Sequence, residues 1–209
     1  MADGMRQGAA SSRPGQGKTD IDQRKEELRR ECKMRRAEAH DRLGASGGDA
    51  IAERFAASIS LAPQSIVAGY ASIRDEPDVL PLLTRLVTQG HCCALPAVVS
   101  RAAPLEFRRW RPGEALEAAE FGVPTPAPGA DVMNPDVLLV PLVGFDRRGR
   151  RIGYGGGFYD RTLEALRGRR AVVTVGIAFS DQEVDEVPAG DHDQPLDWVI
   201  TEREAMRFA

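Results

Sequence analysis

Apolar and polar positions follow two different periods along the chain, one typical of strands and one typical of helices. Segments 136–143 (DVLLVPLV) and 171–179 (AVVTVGIAF) are nearly continuous aliphatic runs, as in strands covered on both faces of a parallel sheet. Segment 65–70 (SIVAGY) has the same character. A helix is predicted from Phe158 to Gly168, between the first two runs. This order of strand, loop, helix and strand predicts a crossover unit in a mainly parallel sheet.

The remaining patterns add helices and strands around this unit. A long basic helix is expected from Asp20 or Asp22, either of which is a plausible N-cap, to about Leu43 before Gly44. A strand containing Pro96 should end its ladder near the proline. Further elements are predicted as helices over 49–59 and 78–89 and as strands over 91–99 and 105–110. The fold class that follows is α/β.

Composition is that of one globular domain. The chain has 209 residues, of which 42% are hydrophobic, enough to bury a sizeable core. Residues 1–19 have no continuous apolar stretch and are expected to form a disordered leader before a single domain over 20–209. The net charge of −3 gives no reason to expect a nucleic-acid or membrane partner. Anion binding, where it occurs, must therefore be local.

The three cysteines are Cys32, Cys92 and Cys93, an odd number with one adjacent pair. No CxxC motif and no histidine-spaced cluster accompanies them. This usage fits a reducing cytoplasm and predicts no structural zinc.

A glycine-rich segment carries the strongest chemical signal. Four glycines between positions 153 and 157 directly precede the helix that contains Asp160. Glycines let the backbone approach a phosphate, and free amides at a helix start attract anions. No Lys-Ser or Lys-Thr pair follows, and Phe158 breaks the GxGxxG spacing, so generic nucleotide motifs fail. Taken alone, the glycines are a tight turn or a phosphate site, and Asp160 is a helix-start carboxylate or a metal ligand.

Other charged positions are also open to two interpretations. Lys25 and Arg29 lie four residues apart on one helix face, where they reach a polyphosphate or form a solvated basic face. Asp75 and Glu76 follow a strand and precede a proline. Their carboxylates accept hydrogen bonds from a ligand's amine or amide groups, or they cap the next helix. The acidic segment 191–193 suits Mg²⁺ or is a surface loop.

Taken together, these segments resemble the 5-formyltetrahydrofolate cyclo-ligase family from about residue 22 to about residue 202. The most specific part is the run DVLLVPLVGFDRRGRRIGYGGGFYDRTL. It matches the family's strand, then FD, then a glycine-rich pattern that ends in an aromatic residue, Tyr and Asp. Supporting positions in the family's order include Lys25, Leu28, Arg29, Tyr70, Glu76, Leu95, Pro96, Gly122, Pro126, Phe179, Gln182, Pro188, His192, Asp193, Ile200, Thr201 and Glu202.

The resemblance implies both a fold and an activity. The implied fold is a three-layer sandwich of the NagB/RpiA/CoA-transferase type, in which helices flank a mainly parallel sheet. The implied enzyme is a carbon–nitrogen ligase that uses ATP and Mg²⁺ to close 5-formyltetrahydrofolate into 5,10-methenyltetrahydrofolate, releasing ADP and phosphate. Its partner would be this small-molecule substrate, and the protein would be a cytoplasmic monomer or weak homodimer.

The resemblance also implies roles for individual residues. Lys25 and Arg29 would contact the ATP phosphates. The nucleotide would be wrapped by Arg151, Ile152, Gly153, Tyr154, Gly155, Gly156, Gly157, Phe158 and Tyr159. Arg151 and Tyr159 would be catalytic; Tyr70, Glu76 and Tyr159 would face the folate; Asp160 and Asp193 would hold magnesium.

The chain departs from the family pattern at three positions. Thr125 stands where the family often has glutamate, and Tyr154 and Gly156 stand where some members have basic residues. These departures keep an alternative open, a folate- or nucleotide-binding protein without turnover on the same scaffold. A relative of sugar-phosphate isomerases or acyl-CoA transferases is a third possibility, although no dedicated base or catalytic glutamate stands out.

Overall fold

The computed structural model describes residues 16–118, 122–190 and 192–208. The elements in these ranges are α1 (Gln16–Leu43), α2 (Ala45–Ser58), β1 (Ile66–Ala68), α3 (Leu80–Thr88), β2 (Cys92–Ala97), β3 (Glu106–Trp110), β4 (Glu117–Ala118), β5 (Pro124–Thr125), β6 (Val132–Met133), β7 (Val137–Pro141), β8 (Gly144–Phe145), β9 (Arg151–Ile152), α4 (Phe158–Arg167), β10 (Val173–Ile177), a 3₁₀ turn (Ser180–Gln182), β11 (Trp198–Ile200) and β12 (Ala205–Arg207).

The central sheet is mainly parallel, which confirms the predicted α/β class. Its strand order within the described ranges is β12-β11-β10-β7-β1-β2-β3-β6. The five strands from β11 to β2 are parallel neighbours, while β12 at one edge and β3 and β6 at the other are antiparallel. Strands β7 and β10 pair in parallel from Val137–Val173 to Pro141–Ile177 and are joined through α4, the predicted crossover.

Helices cover both faces of this sheet. Because side chains alternate along a strand, Leu139 of β7 packs with Leu83 of α3 on one face. Its neighbours Leu138 and Val140 pack with Leu163 of α4 on the other face. The three layers expected from the resemblance are therefore present, with α2 and α3 on one side and α4 on the other.

Helix α1 starts earlier than the sequence predicted. It begins at Gln16, so Asp20 and Asp22 lie inside the helix, and the prediction that one of them caps it is wrong. No proline interrupts the chain between Gln16 and Leu43, so the pattern alone does not fix the start. Residues 16–19 are helical, and the rest of the expected leader lies outside the described residues.

A small apolar cluster holds α1 against the hairpin of β8 and β9. Leu28 and Cys32 of the helix pack with Val143, Ile152 and Val187, all buried. Since β9 leads directly into the glycine-rich segment, this cluster fixes α1 beside that segment. None of the described helices is long and apolar enough to span a membrane.

Candidate active site

A cleft of about 930 Å³ opens at the carboxyl ends of β1, β2 and β7. This is the edge of an open α/β sheet where ligands ordinarily bind. The sequence-predicted site residues all line the cleft, namely Lys25, Arg29, Tyr70, Glu76, Arg151, Ile152, Gly153, Tyr154, Gly155, Gly156, Gly157, Phe158, Tyr159, Asp160 and Asp193. Segments far apart in sequence thus meet around one space large enough for two small molecules.

The glycine-rich loop connects β9 to α4 and forms one wall. Gly155 has φ 95° and Gly157, at the N-cap of α4, has φ 66°. Both angles are left-handed, where a side chain is strained, so glycine is the natural residue at these positions. Tyr154, Gly155 and Gly156 are exposed. The positive end of α4 therefore opens next to an accessible backbone, as anion binding requires.

Two cations of α1 reach this wall. The Arg29 Nε donates a hydrogen bond of 3.0 Å to the Gly153 carbonyl. Lys25, one turn earlier, places its Nζ 2.5 Å from Asp193 Oδ2. The shared helix face predicted for the two residues is thus directed at the cleft and not at bulk solvent.

Arg151 lies between the two predicted metal ligands. Its Nη2 is 2.6 Å from Asp160 Oδ1, and its Nη1 donates to the Gln194 carbonyl. Burial lowers the pKa of Arg151, although the charges of Asp160 and Asp193 oppose this. Burial alone would raise the pKa of Asp193, but the Gly190 amide and the Lys25 ammonium outweigh it and lower that pKa. The site therefore favours the ionised form of the Asp193 carboxyl.

No group of three or more His, Cys, Asp or Glu side chains in the described ranges forms a ready metal cage. Asp191, part of the acidic segment noted in the sequence, lies outside those ranges. Its neighbour His192 lines the cleft. Asp160 and Asp193 are two of the carboxylates that line the described part of the cleft, together with Asp22, Glu76 and Glu164.

The opposite wall comes from the loop between β1 and α3. Glu76 is 4% exposed, and its Oε2 accepts a hydrogen bond of 3.0 Å from the Ile73 amide. Burial raises the pKa of this carboxyl. Tyr70 donates to the Pro77 carbonyl at 3.0 Å. Burial, followed by the Glu76 charge, raises the pKa of Tyr159, so its phenol stays protonated.

Sequence reasoning missed Arg36, which is 1% exposed. Its Nε and Nη2 bind both oxygens of Asp75, at 3.0 and 2.9 Å, and its Nη1 donates to the Tyr154 hydroxyl at 2.7 Å. Arg36 follows Arg29 by seven residues and therefore shares its helix face. The seven-residue spacing was the available signal for Arg36, but α1 contains many other basic residues, and the sequence does not distinguish Arg36 from them.

The three departures from the family pattern lie in different surroundings. Thr125 is buried in β5, donates to the Val123 carbonyl at 3.2 Å, and is not among the cleft residues. Gly156 is exposed in the loop. Tyr154 is bonded to both Arg36 and Glu76. Of the three, Tyr154 contacts the most predicted ligand-binding groups.

A mainly parallel sheet with a charged cleft at the carboxyl ends of its strands is typical of α/β proteins that bind ligands at those strand ends. The 5-formyltetrahydrofolate cyclo-ligase family model matches residues 21–202, so the chain belongs to that family. It is 36% identical over 148 residues to the 5-formyltetrahydrofolate cyclo-ligase of Mycolicibacterium smegmatis, covering 67% of this chain and 75% of that one.

Solved structures agree with this assignment. The 5,10-methenyltetrahydrofolate synthetase of Aquifex aeolicus superimposes with a TM-score of 0.74 at 27% identity, covering 88% of this chain and 92% of that one. The 5,10-methenyltetrahydrofolate synthetase of Mycoplasma pneumoniae has the same fold, with a TM-score of 0.68 at 24% identity over 85% of this chain and 98% of that one. Family membership also removes the isomerase and CoA-transferase interpretation.

Proposed function

We propose that this chain catalyses the ATP-dependent closure of 5-formyltetrahydrofolate to 5,10-methenyltetrahydrofolate. The observation that carries the proposal is the single cleft, which joins the glycine-rich loop, the cations of α1 and the Glu76 loop. Phosphoryl transfer needs a triphosphate and an acceptor held side by side, and this cleft has one wall suited to each.

The chemical obstacle is that a formamide oxygen is a poor leaving group. Transfer of the terminal phosphoryl group to the formyl oxygen breaks the bond to ADP and gives an imino phosphate. The anilino nitrogen of the folate then attacks the formyl carbon, and the carbon–oxygen bond breaks to release phosphate, with the nitrogen's proton lost to phosphate or solvent. The attacking nitrogen belongs to the substrate, so the protein need supply no nucleophile of its own.

The protein's task is then to position the two substrates and to neutralise the negative charge of the phosphates. We assign Lys25 and Arg29 to the ATP phosphates, together with the backbone of residues 152–157 at the start of α4. We assign Arg151 to the transferred phosphoryl group, because it is a buried cation that directly precedes the glycine-rich loop and contacts Asp160. Positive charge held in place before reaction stabilises the charge that develops on the transferred group.

Asp160 and Asp193 fit a magnesium ion, because Mg²⁺ typically binds one or two carboxylates and fills its remaining positions with phosphate and water. When bound there, the ion would supply charge neutralisation at the phosphates. Asp160 also contacts Arg151 and Asp193 contacts Lys25, and each of the two carboxylate side chains remains about a third exposed, so both are accessible to an ion.

The folate would occupy the other wall. A carboxylate in a buried pocket recognises the amino and amide N–H groups of a pterin, and Glu76 is that carboxylate here. Tyr70 borders the same space, and Tyr159 lies between the two walls at the start of α4. Its protonated phenol can donate a hydrogen bond to the formyl oxygen or to the phosphate.

Purified protein mixed with 5-formyltetrahydrofolate, ATP and MgCl₂ should develop the near-ultraviolet absorbance of the methenyl product. Omission of any one component should abolish it. Binding of the folate or of ATP with no product formed would instead favour a non-catalytic binding protein. Cytoplasmic location and a monomeric or weakly dimeric state remain predictions, which fractionation and sedimentation would check.

A further inference from the structure

A chain of three charged or polar groups connects α1, the glycine-rich loop and the Glu76 loop. The Tyr154 hydroxyl accepts from Arg36 Nη1 at 2.7 Å and lies 2.8 Å from Glu76 Oε1. A guanidinium has no acceptor, so Arg36 can only donate and the hydroxyl proton is directed at Glu76. Arg36 Nη1 and Glu76 Oε1 also form an ion pair at 3.8 Å, a distance too long for a hydrogen bond, so the hydroxyl provides the hydrogen-bonded link between them.

Arg36 is itself fixed before it meets Tyr154. Both oxygens of Asp75 hold its Nε and Nη2, a fork geometry that leaves Nη1 as the free arm. The guanidinium also lies 5.4 Å from the Tyr154 ring centre, with Lys33 Nζ at 5.6 Å. A rigid cation thus locates the tyrosine by its ring and by its hydroxyl.

Tyr154 belongs to the loop proposed to hold ATP, whereas Glu76 is the residue proposed to meet the folate. Their hydrogen bond is a direct link between the two ligand sites. We propose that Arg36 and Tyr154 are positioning residues that orient the Glu76 carboxylate for the folate and, through the same bond, dock the ATP loop. This inference rests on the proposed function and adds two residues to it.

The link also has an electrostatic consequence. The groups facing Glu76 are Arg36 from α1, Asp75 in its own loop, Tyr154 from the glycine-rich loop, Tyr159 from α4, and Tyr70 after β1. Burial raises the Glu76 pKa most, and the Ile73 amide, then the Tyr154 hydroxyl and the Arg36 charge oppose that rise. Loss of the Tyr154 hydroxyl therefore raises the Glu76 pKa further. On acidification, the Glu76 carboxylate is then protonated at a higher pH than in the wild type.

The decisive variant is Tyr154→Phe, which removes one oxygen from a side chain that is 39% exposed and leaves the ring in place. We expect the KM for 5-formyltetrahydrofolate to rise at least about tenfold, the lower limit for loss of a hydrogen bond to a charged group. The KM for ATP should rise with it. The acid limb of kcat/KM for the folate should move to higher pH.

Ser72→Ala is the matched control, because the Ser72 hydroxyl donates to the Pro77 carbonyl at 3.0 Å in the same loop without contacting Glu76. The acid limb of kcat/KM for the folate in Ser72→Ala should coincide with that of the wild type. Arg36→Lys is a second probe, since lysine keeps the charge but loses the fork. A folded Arg36→Lys variant should move the acid limb of kcat/KM for the folate to higher pH, as Tyr154→Phe does.

The two proposals fail separately. Wild-type turnover together with a Tyr154→Phe profile that superimposes on the wild type, or a change in thermal stability alone, would overturn the positioning role and leave the activity standing. A rise in the ATP KM alone would overturn it too, because Glu76 would then be independent of the hydroxyl. A wild type that neither binds nor converts the folate would overturn both.

Discussion

Gly155 shows how one backbone conformation serves the site. Its φ of 95° strains any other residue, and a Cβ there would face the Arg29 guanidinium, 3.5 Å from Cζ. We expect Gly155→Ala to lose about 1–2 kcal/mol of stability and to raise the ATP KM about tenfold, because the loop must leave its phosphate-binding shape. Thermal unfolding and steady-state kinetics measure the two effects.

Gly113→Ala is the control for Gly155→Ala. Gly113 has φ 87° in an exposed turn, and a Cβ there would meet nothing within 4 Å. Gly113→Ala should therefore lose similar stability while the ATP KM stays at the wild-type value. Equal ATP constants in the two variants would show that the Gly155 backbone has no part in nucleotide binding.

Asp160 tests the cation-binding side of the cleft. Asp160→Asn keeps the size of the side chain but removes the charge next to Arg151, and we expect kcat to fall about a hundredfold with the fold intact. Asp181→Asn is the control, because Asp181 also lies in the first turn of a helical segment and pairs with an arginine, Arg42, away from the cleft. Turnover by Asp160→Asn at the wild-type rate would remove Asp160 from the mechanism.

At the scale of the element, α1 contributes the cations Lys25 and Arg29 to the cleft. Leu28 anchors α1 through the small cluster with Ile152 and Val187. Leu28→Ala should lose about 2–5 kcal/mol and should also raise the ATP KM, since Lys25 and Arg29 depend on the helix position. Leu86→Ala, with an equally buried leucine in α3, should match the loss of stability without the kinetic change. Chemical denaturation with parallel ATP titrations would decide.

The elements also show what local pattern can and cannot predict. Strands β7 and β10 and helix α4 were predicted within about two residues at each end, because long apolar runs and a glycine stop are local signals. The short strands β11 and β12 were not predicted. Three residues such as Trp198–Ile200 contain too few positions to show a period, and it is their pairing with the neighbouring strands β10 and β12 that makes them a strand.

The same limit applies to the site at the scale of the whole molecule. The glycine-rich loop, Glu76 and Asp160 could be predicted because the resemblance preserves their order along the chain. Arg36 could not, because its burial depends on Asp75 and Tyr154, which lie 39 and 118 residues further along the sequence. Which of α1's many basic side chains enters the core is decided by tertiary packing, and sequence spacing only narrows the choice to one helix face.

A nucleotide bound between α1 and the glycine-rich loop should stabilise the whole domain, because this site exists in the folded state alone. A non-hydrolysable ATP analogue with Mg²⁺, at about 100 times its Kd, should add about 2.7 kcal/mol and raise the unfolding midpoint by about 5–10 °C. Lys25→Ala should lose most of this shift at the same concentration. Arg24→Ala should keep it, because the Arg24 side chain is exposed and pairs with Glu27 outside the cleft. A shift of equal size in both variants would place the nucleotide away from α1 and would require a different binding site.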